Sequence, residues 1–379
     1  MTSNSCLKDQ QTLPKKGRVS RVIQIHASLK CNLTCSHCYS TSSPQHKGGL
    51  EITKLKHVIE QLSTEGYNVI SLSGGEPFLY DSIAELLEYS KSLRYFNSVT
   101  TNAMLLKSNR ARQIMKNIDL MAISLDGKPD QHDAIRSHQG AFNKMIEGVQ
   151  IVRDNVPNFG FIHTLFPNGW QIMPWLTEFA LEQKAKLMQF HPLEMAGRGA
   201  NYQSKICFDS INAHKIYIIF YYLKQYYAND ILMQLDLLHR DNLRDNTDFF
   251  FPEKDIDCLD NRKMSSLFKE LIIDEAGDII PISHGCSKYF KIGNINDDKP
   301  VVEMIENFLQ YKMTKLMELY NSTYQEILAD ENLELFNWSE IIIRKSQHYG
   351  IHTDRMASHG SSAKKEKIEE SYLNVDMYL

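Results

Sequence analysis

Between residues 21 and 191 the chain alternates short apolar runs of β type with helical stretches, and this alternation limits its possible folds more than any other feature. The β-type runs cover residues 21–27, 68–72, 98–101, 120–125, 160–166 and 186–191. Between them, residues 52–65 repeat Leu55, Val58, Ile59 and Leu62 at helical spacing, and residues 83–93 and 171–183 follow the same rule. Strands separated by helices of about 10–15 residues predict right-handed βαβ units and a parallel sheet. Six such units are visible by residue 191. A closed barrel of this kind needs eight, so the pattern fits a partial barrel or an open sheet.

Beyond residue 201 the texture changes. Residues 211–227 form an aromatic-rich helix candidate with Tyr217, Phe220, Tyr221, Tyr222, Tyr226 and Tyr227. Residues 270–282 hold two apolar runs around Glu275-Ala276-Gly277-Asp278, a hairpin signal in which Gly277 supplies a positive φ. Residues 302–345 are again helical in pattern. A flexible leader is expected over residues 1–19 and a mobile polar tail over 361–379. No apolar run approaches the roughly 20 residues that span a bilayer. The polar N-terminus lacks the apolar stretch of a signal peptide, so a cytoplasmic protein is expected. A net charge of −4 argues against nucleic-acid or anionic-membrane partners.

The seven cysteines are Cys6, Cys31, Cys35, Cys38, Cys207, Cys258 and Cys286. Three of them fall in KCNLTCSHCY, spaced Cys31-x3-Cys35-x2-Cys38, directly after the first predicted strand. Clustered thiols in a long chain with few other cysteines suit metal ligation better than a disulfide scaffold. A [4Fe–4S] cubane takes one ligand per iron, so three thiolates leave the fourth iron open to a cofactor or substrate. A zinc loop with His37 as fourth ligand is the alternative.

This loop resembles the CxxxCxxC signature of the radical S-adenosylmethionine superfamily, in which the position before the third cysteine is usually aromatic; here it is His37. Further resemblances follow in the same order along the chain. Gly74, Gly75, Glu76 and Pro77 are similar to the family's GGEP motif, which holds the amino group of the cofactor's methionine moiety. Thr100, Thr101 and Asn102 end the third strand as a family TxN stretch does. Ser124 and Asp126, in AISLDG, resemble a motif reaching the cofactor ribose, and Arg136 a residue that pairs with its carboxylate. His191, Glu194 and Arg198, in QFHPLEMAGR, would reach the adenosyl group or the substrate. All these positions fall at predicted C-terminal strand ends, where parallel α/β folds bind ligands.

The fold expected with that resemblance is α/β, a partial (β/α)6 TIM-like barrel with a C-terminal β-hairpin and helical extension. Its divisions are a core over 20–200, a helix and SPASM/twitch-like hairpin region over 201–300, and C-terminal helices over 301–360. The implied cofactors are S-adenosylmethionine and one [4Fe–4S] cluster on Cys31, Cys35 and Cys38. The implied chemistry is reductive cleavage to a 5′-deoxyadenosyl radical that abstracts hydrogen from a substrate, with an electron donor such as flavodoxin or ferredoxin as partner. The GNI stretch after the hairpin is similar to that of peptide-modifying members, so a ribosomally made peptide is the first substrate class; a small molecule of cofactor or natural-product biosynthesis is the second. A non-catalytic iron–sulfur or zinc protein is a third reading. Where relatives often carry Pro-Cys this chain has Pro281-Ile282, so Cys207, Cys258 and Cys286 are expected to be buried thiols rather than ligands of an auxiliary cluster.

Overall fold

The structure is a computed structural model that describes residues 20–202, 210–245 and 263–349. Each apolar run expected to be a strand is one. β1 (Val22–Ile25), β2 (Val69–Leu72), β3 (Phe96–Thr101), β4 (Leu120–Ser124), β5 (Asn158–Leu165) and β6 (Leu187–Pro192) lie side by side in chain order, all parallel. They are joined through α1 (Ile52–Thr64), α2 (Ile83–Ser92), α3 (Asn109–Met115), α4 (Pro129–Arg136), α5 (Ala141–Asn155) and α6 (Met173–Glu182). α1 shows why the periodicity was readable. The Glu51 carboxylate caps it by accepting from the Thr53 and Lys54 amides, and Leu55, Val58, Ile59 and Leu62 form its buried face.

The sheet extends beyond the six expected units at both edges. α7 (Ser210–Tyr226) leads into β7 (Leu232–Leu235), which pairs parallel to β6. The expected hairpin forms as β9 (Glu270–Ile273) and β10 (Asp278–Pro281), with Gly277 at φ +83°, after the short β8 (Leu238–His239) and α8 (Arg240–Asp245). The hairpin is not a separate appendage: β9 adds in parallel to β1, and β10 carries the short β11 (Gly293–Asn294). One ten-stranded sheet therefore runs from β11 to β7, across the division expected at residue 200. Helices over Val301–Tyr311, Met313–Ala329 and Trp338–Ser346 follow, with β12 (Leu335–Phe336) paired to β8. The leader, the tail, Cys6, Cys207 and Cys258 lie outside the described residues.

The strands have two different faces. Ile23, Ile25, Ile70, Leu72, Val99, Met188 and Phe190 point under the helices and join one continuous core. The alternate positions carry Gln24, Ser71, Thr100, Ser124, Thr164, Gln189 and Gln234, and these line a central cavity of about 940 Å³. Period-2 alternation puts the two sets on opposite faces. The sheet is thus wrapped around a polar lumen, whereas the interior of a closed TIM barrel is packed solid. No helix among the described residues is long and apolar enough to cross a membrane.

Candidate active site

The cysteine loop leaves β1 and folds back over the C-terminal strand ends. Three anchors fix it: Ser36 N–H donates to Ile135 O in α4 at 2.9 Å, Glu76 N–H to Lys30 O at 2.9 Å, and Arg198 N–H to Cys38 O at 2.9 Å. Cys31, Cys35 and Cys38 all line the cavity. Burial pushes the Cys31 thiol up to about 12 and raises that of Cys35 as well. Removing those protons therefore requires a cationic partner or a metal.

The two glycines after β2 serve this loop directly. Gly74 has φ +98°, and a Cβ on Gly75 would lie 2.3 Å from Lys30 O. Only glycine lets the end of β2 reach the backbone just before Cys31. Glu76 is fully buried. Its Oε1 accepts from Thr101 Oγ1 at 2.8 Å and from Phe78 N–H at 3.2 Å, and its Oε2 accepts from Asn102 N–H at 2.9 Å. Burial raises its carboxyl, and these hydrogen bonds oppose the rise. The residue thus ties β2 to β3 and keeps one acceptor position on Oε2. Asn102 Nδ2 donates to Asn32 Oδ1 at 2.8 Å, inside the cysteine loop.

Arg136 and Asp126 form a buried ion pair, Nε to Oδ2 at 2.5 Å, and Arg136 also donates to Cys35 Sγ at 3.6 Å. His37 Nε2 lies 3.1 Å from the same carboxylate oxygen. Burial pushes Asp126 up, but Arg136 and then His37 outweigh it and hold its carboxyl well below the usual range. Burial likewise lowers Arg136, and Asp126 more than reverses it, so both groups stay charged. Arg136 keeps a place on the cavity wall, while Asp126 lies behind it, beneath His37 and Arg136. Pro77 is also off that wall: it opens a buried 3-10 turn, Pro77–Leu79, for which Glu76 is the cap. Pro77 and Asp126 thus stand behind residues of the wall, Glu76 for the first and Arg136 and His37 for the second.

Gly74, Gly75, Glu76, Asn102, Ser124, Arg136, His37 and His191 are brought to one cavity with the three cysteines. His191 Nδ1 pairs with Asp236 at the end of β7; burial lowers the imidazole, and Asp236 more than restores it. Arg198 acts mainly as a clamp, donating to Cys35 O at 2.7 Å and Ser42 O at 2.8 Å. Glu194 lines the lumen with its carboxyl raised by burial. Cys286 is buried, its thiol pushed up to about 11.

Sequence reasoning missed Tyr39, Asp236, Glu270 and the three lumen glutamines, and considered His284 only as a fourth ligand beside Cys207, Cys258 and Cys286. The glutamines had a signal: each is the lone polar residue of a β-type run, in VIQI, LMQF and LMQL. Register puts Gln189 beside Gln234, and Gln24 beside Ser71.

Comparison with known proteins agrees with this geometry. The chain is 26% identical to the Fe-coproporphyrin III synthase of Methanosarcina barkeri over 181 residues, 47% of this chain and 45% of that protein. It is 25% identical to the antilisterial bacteriocin subtilosin biosynthesis protein AlbA of Bacillus subtilis over 198 residues, 50% of this chain and 44% of that protein. The chain thus spans a little under half the length of these relatives. Among solved structures, SuiB of Streptococcus suis bound to S-adenosylmethionine matches with a TM-score of 0.60 at 15% identity, covering 83% of this chain and 71% of that one. An anSMEcpe structure with bound AdoMet and the Cp18Cys peptide matches with a TM-score of 0.58 at 17% identity, covering 89% and 97%. At these identities the structures share the fold. The Radical SAM superfamily matches residues 25–172, from the end of β1 through the turn after β5. The chain therefore carries, in the segment that holds its cysteine loop, a domain of the radical SAM superfamily.

Proposed function

We propose that the chain is a radical enzyme that binds S-adenosylmethionine at one [4Fe–4S] cluster held by Cys31, Cys35 and Cys38, and acts in the maturation of a ribosomally made peptide. One observation carries the reading: the three thiols open on the same cavity as Gly74, Gly75, Glu76, Asn102, Ser124 and Arg136. Among the described residues the three thiols are not all within 4.8 Å of one another, whereas the ligands of one zinc ion, with Zn–S of ~2.3 Å, sit about 3.8 Å apart. His37, the candidate fourth zinc ligand, is turned to Asp126.

When bound, the cluster and S-adenosylmethionine supply one-electron cleavage to a 5′-deoxyadenosyl radical, and the protein supplies position and a dry site. Arg136 offsets negative charge on the Cys35 sulfur through its 3.6 Å contact, and Asp126 holds the guanidinium in place. Glu76, Thr101 and Asn102 fix the β2 and β3 ends in one network beside the cysteine loop. Ser124 and His191 are cofactor contacts farther along the rim. Tyr320, Trp338, Ile282 and Leu235 wall the lumen from the C-terminal side and limit access of water. The reducing electron comes from a partner such as flavodoxin or ferredoxin.

The peptide reading is supported by relatives named for subtilosin biosynthesis and for anaerobic sulfatase maturation, and by the peptide complexes among the similar structures. The coproporphyrin and pre-heme d1 synthases favour a second reading, a small-molecule substrate. The lumen, at the upper end of the roughly 300–1,000 Å³ of ligand pockets, has room for either. Incubating the reduced, reconstituted enzyme with precursor peptides encoded beside its gene, and following peptide mass, tests the choice. A mass change dependent on S-adenosylmethionine supports the peptide reading. Cofactor cleavage stimulated only by a tetrapyrrole or another small metabolite would replace it.

A further inference from the structure

A second group of metal-ligating side chains lies on the other side of the cysteine loop. His26 follows β1, Glu275 sits in the β9–β10 turn, and His284 follows β10. Each offers one ligand atom, and the three atoms lie within 4.8 Å of one another. We propose that His26, Glu275 and His284 form a mononuclear site for a divalent transition metal, separate from the cysteine cluster.

Three observations carry this. First, His26 is fully buried, and its Nδ1 has no hydrogen-bond partner. Buried polar atoms are rarely left so, and a metal would satisfy this one. Second, His26 Nε2 lies 3.3 Å from Tyr39 Oη, which can accept its N–H and leave the Nδ1 lone pair free; Gln24 Nε2, 3.1 Å away, is a donor, and its amide must turn over to present Oε1 instead. Third, the alternative explains less. A His284–Glu275 ion pair, Nε2 to Oε2 at 3.6 Å, accounts for two members and leaves His26 Nδ1 unsatisfied.

Two imidazoles and one carboxylate suit zinc or ferrous iron, and not magnesium or calcium. The rings of His26 and His284 stack with centroids 4.5 Å apart and 28° between planes, so binding turns the His284 ring until both lone pairs converge. His284 lines the lumen; it is held by its long contact to Glu275 and by ring contacts with His26 and Tyr39, and turning it breaks the stack on His26. Three protein ligands keep coordination positions open, as catalytic and substrate-binding sites do. A metal here would also join β1 to the hairpin turn beside the lumen.

The test uses the full-length protein, reconstituted anaerobically with iron and sulfide, and zinc as probe. Equilibrium dialysis should give about one zinc per chain with iron unchanged. Zinc-edge X-ray absorption should show nitrogen and oxygen neighbours at ~2.0–2.1 Å and no sulfur at ~2.3 Å. Zinc affinity should fall at least tenfold in His284→Ala and in Glu275→Gln. The second change is conservative and sits in an exposed turn, so it tests ligation without risk to the fold. No bound zinc, sulfur among its neighbours, or affinity unchanged in both variants would overturn the site. The result is independent of whether the cysteine cluster cleaves S-adenosylmethionine, which iron content and cleavage report separately.

Discussion

Glu76 and Glu270 line the same cavity, one on the rim near the cysteine loop and the other on β9. Glu76 accepts three hydrogen bonds from Thr101, Phe78 and Asn102. The Glu270 carboxyl meets no hydrogen-bond partner among the described residues; the residue is exposed to the open cavity, and enclosure by the cavity walls, with Asp236 nearby, raises it to about 7. The same contrast holds around them. Within residues 25–172, Asp126, Arg136 and His37 are bound to one another. On the C-terminal side, Glu194 and Glu270 face the lumen with raised carboxyls, while Asp236 is held by His191, Gln234 and Gln189. The difference teaches where each task lies. The network of Glu76, Thr101 and Asn102 is closed among protein groups and fixes the ends of β2 and β3. Polar groups left unsatisfied in a cavity remain available to a substrate, at a cost in stability.

Substitutions can break or sharpen this comparison, because the two regions should respond with opposite signs. The largest effect is expected from Asp126→Asn, which leaves the Arg136 charge buried without its partner. It should cost about 3–5 kcal/mol in denaturant unfolding of the apoprotein; a loss under about 1 kcal/mol would mean the pair is solvated. Gly75→Ala comes next. Its Cβ meets the Lys30 backbone oxygen at 2.3 Å, which no rotamer change relieves. A cost of about 1–3 kcal/mol is expected, with fewer irons retained per chain on reconstitution. Thr101→Val removes one hydrogen bond to Glu76 and should cost about 1 kcal/mol by the same unfolding measurement.

Glu270→Gln should stabilise. A carboxyl raised to about 7 in the folded state, against about 4.3 unfolded, favours folding fully only below the unfolded value. That contribution is lost as pH rises through 7. The variant should therefore gain stability at pH 8 and match the parent near pH 4. The gain is about 1 kcal/mol or less, because the carboxyl opens on a solvated cavity. Melting temperatures across that range check it, and a variant less stable at pH 8 would show that Glu270 has a partner in the native lumen. Iron content should not change.

Much of this was legible along the chain. The six central strands were found as short β-type runs set between helical stretches; in Phe96–Thr101 every second position is buried. β7 was missed because Leu232–Leu235 is only four residues long and follows a long aromatic helix. The pairing of β9 with β1 joins residues about 250 apart in sequence, and no local pattern encodes such a register. The motifs located the site, but not each side chain's partner. A sequence does not show that Asp126 and Arg136 pair with each other. His284 was legible only as a possible ligand beside the C-terminal cysteines; the fold brings it instead to His26.

The central claim is that Cys31, Cys35 and Cys38 hold one cluster that opens S-adenosylmethionine. Anaerobic reconstitution, iron counting and a cleavage assay with dithionite test it together, on the parent and on Cys35→Ala. The account predicts about four irons per chain and 5′-deoxyadenosine from the parent, with both lost in the variant. About eight irons would mean that Cys207, Cys258 and Cys286 ligate a second cluster. Cleavage that persists in Cys35→Ala, or iron bound by the parent without cleavage even in the presence of substrate, would contradict the account.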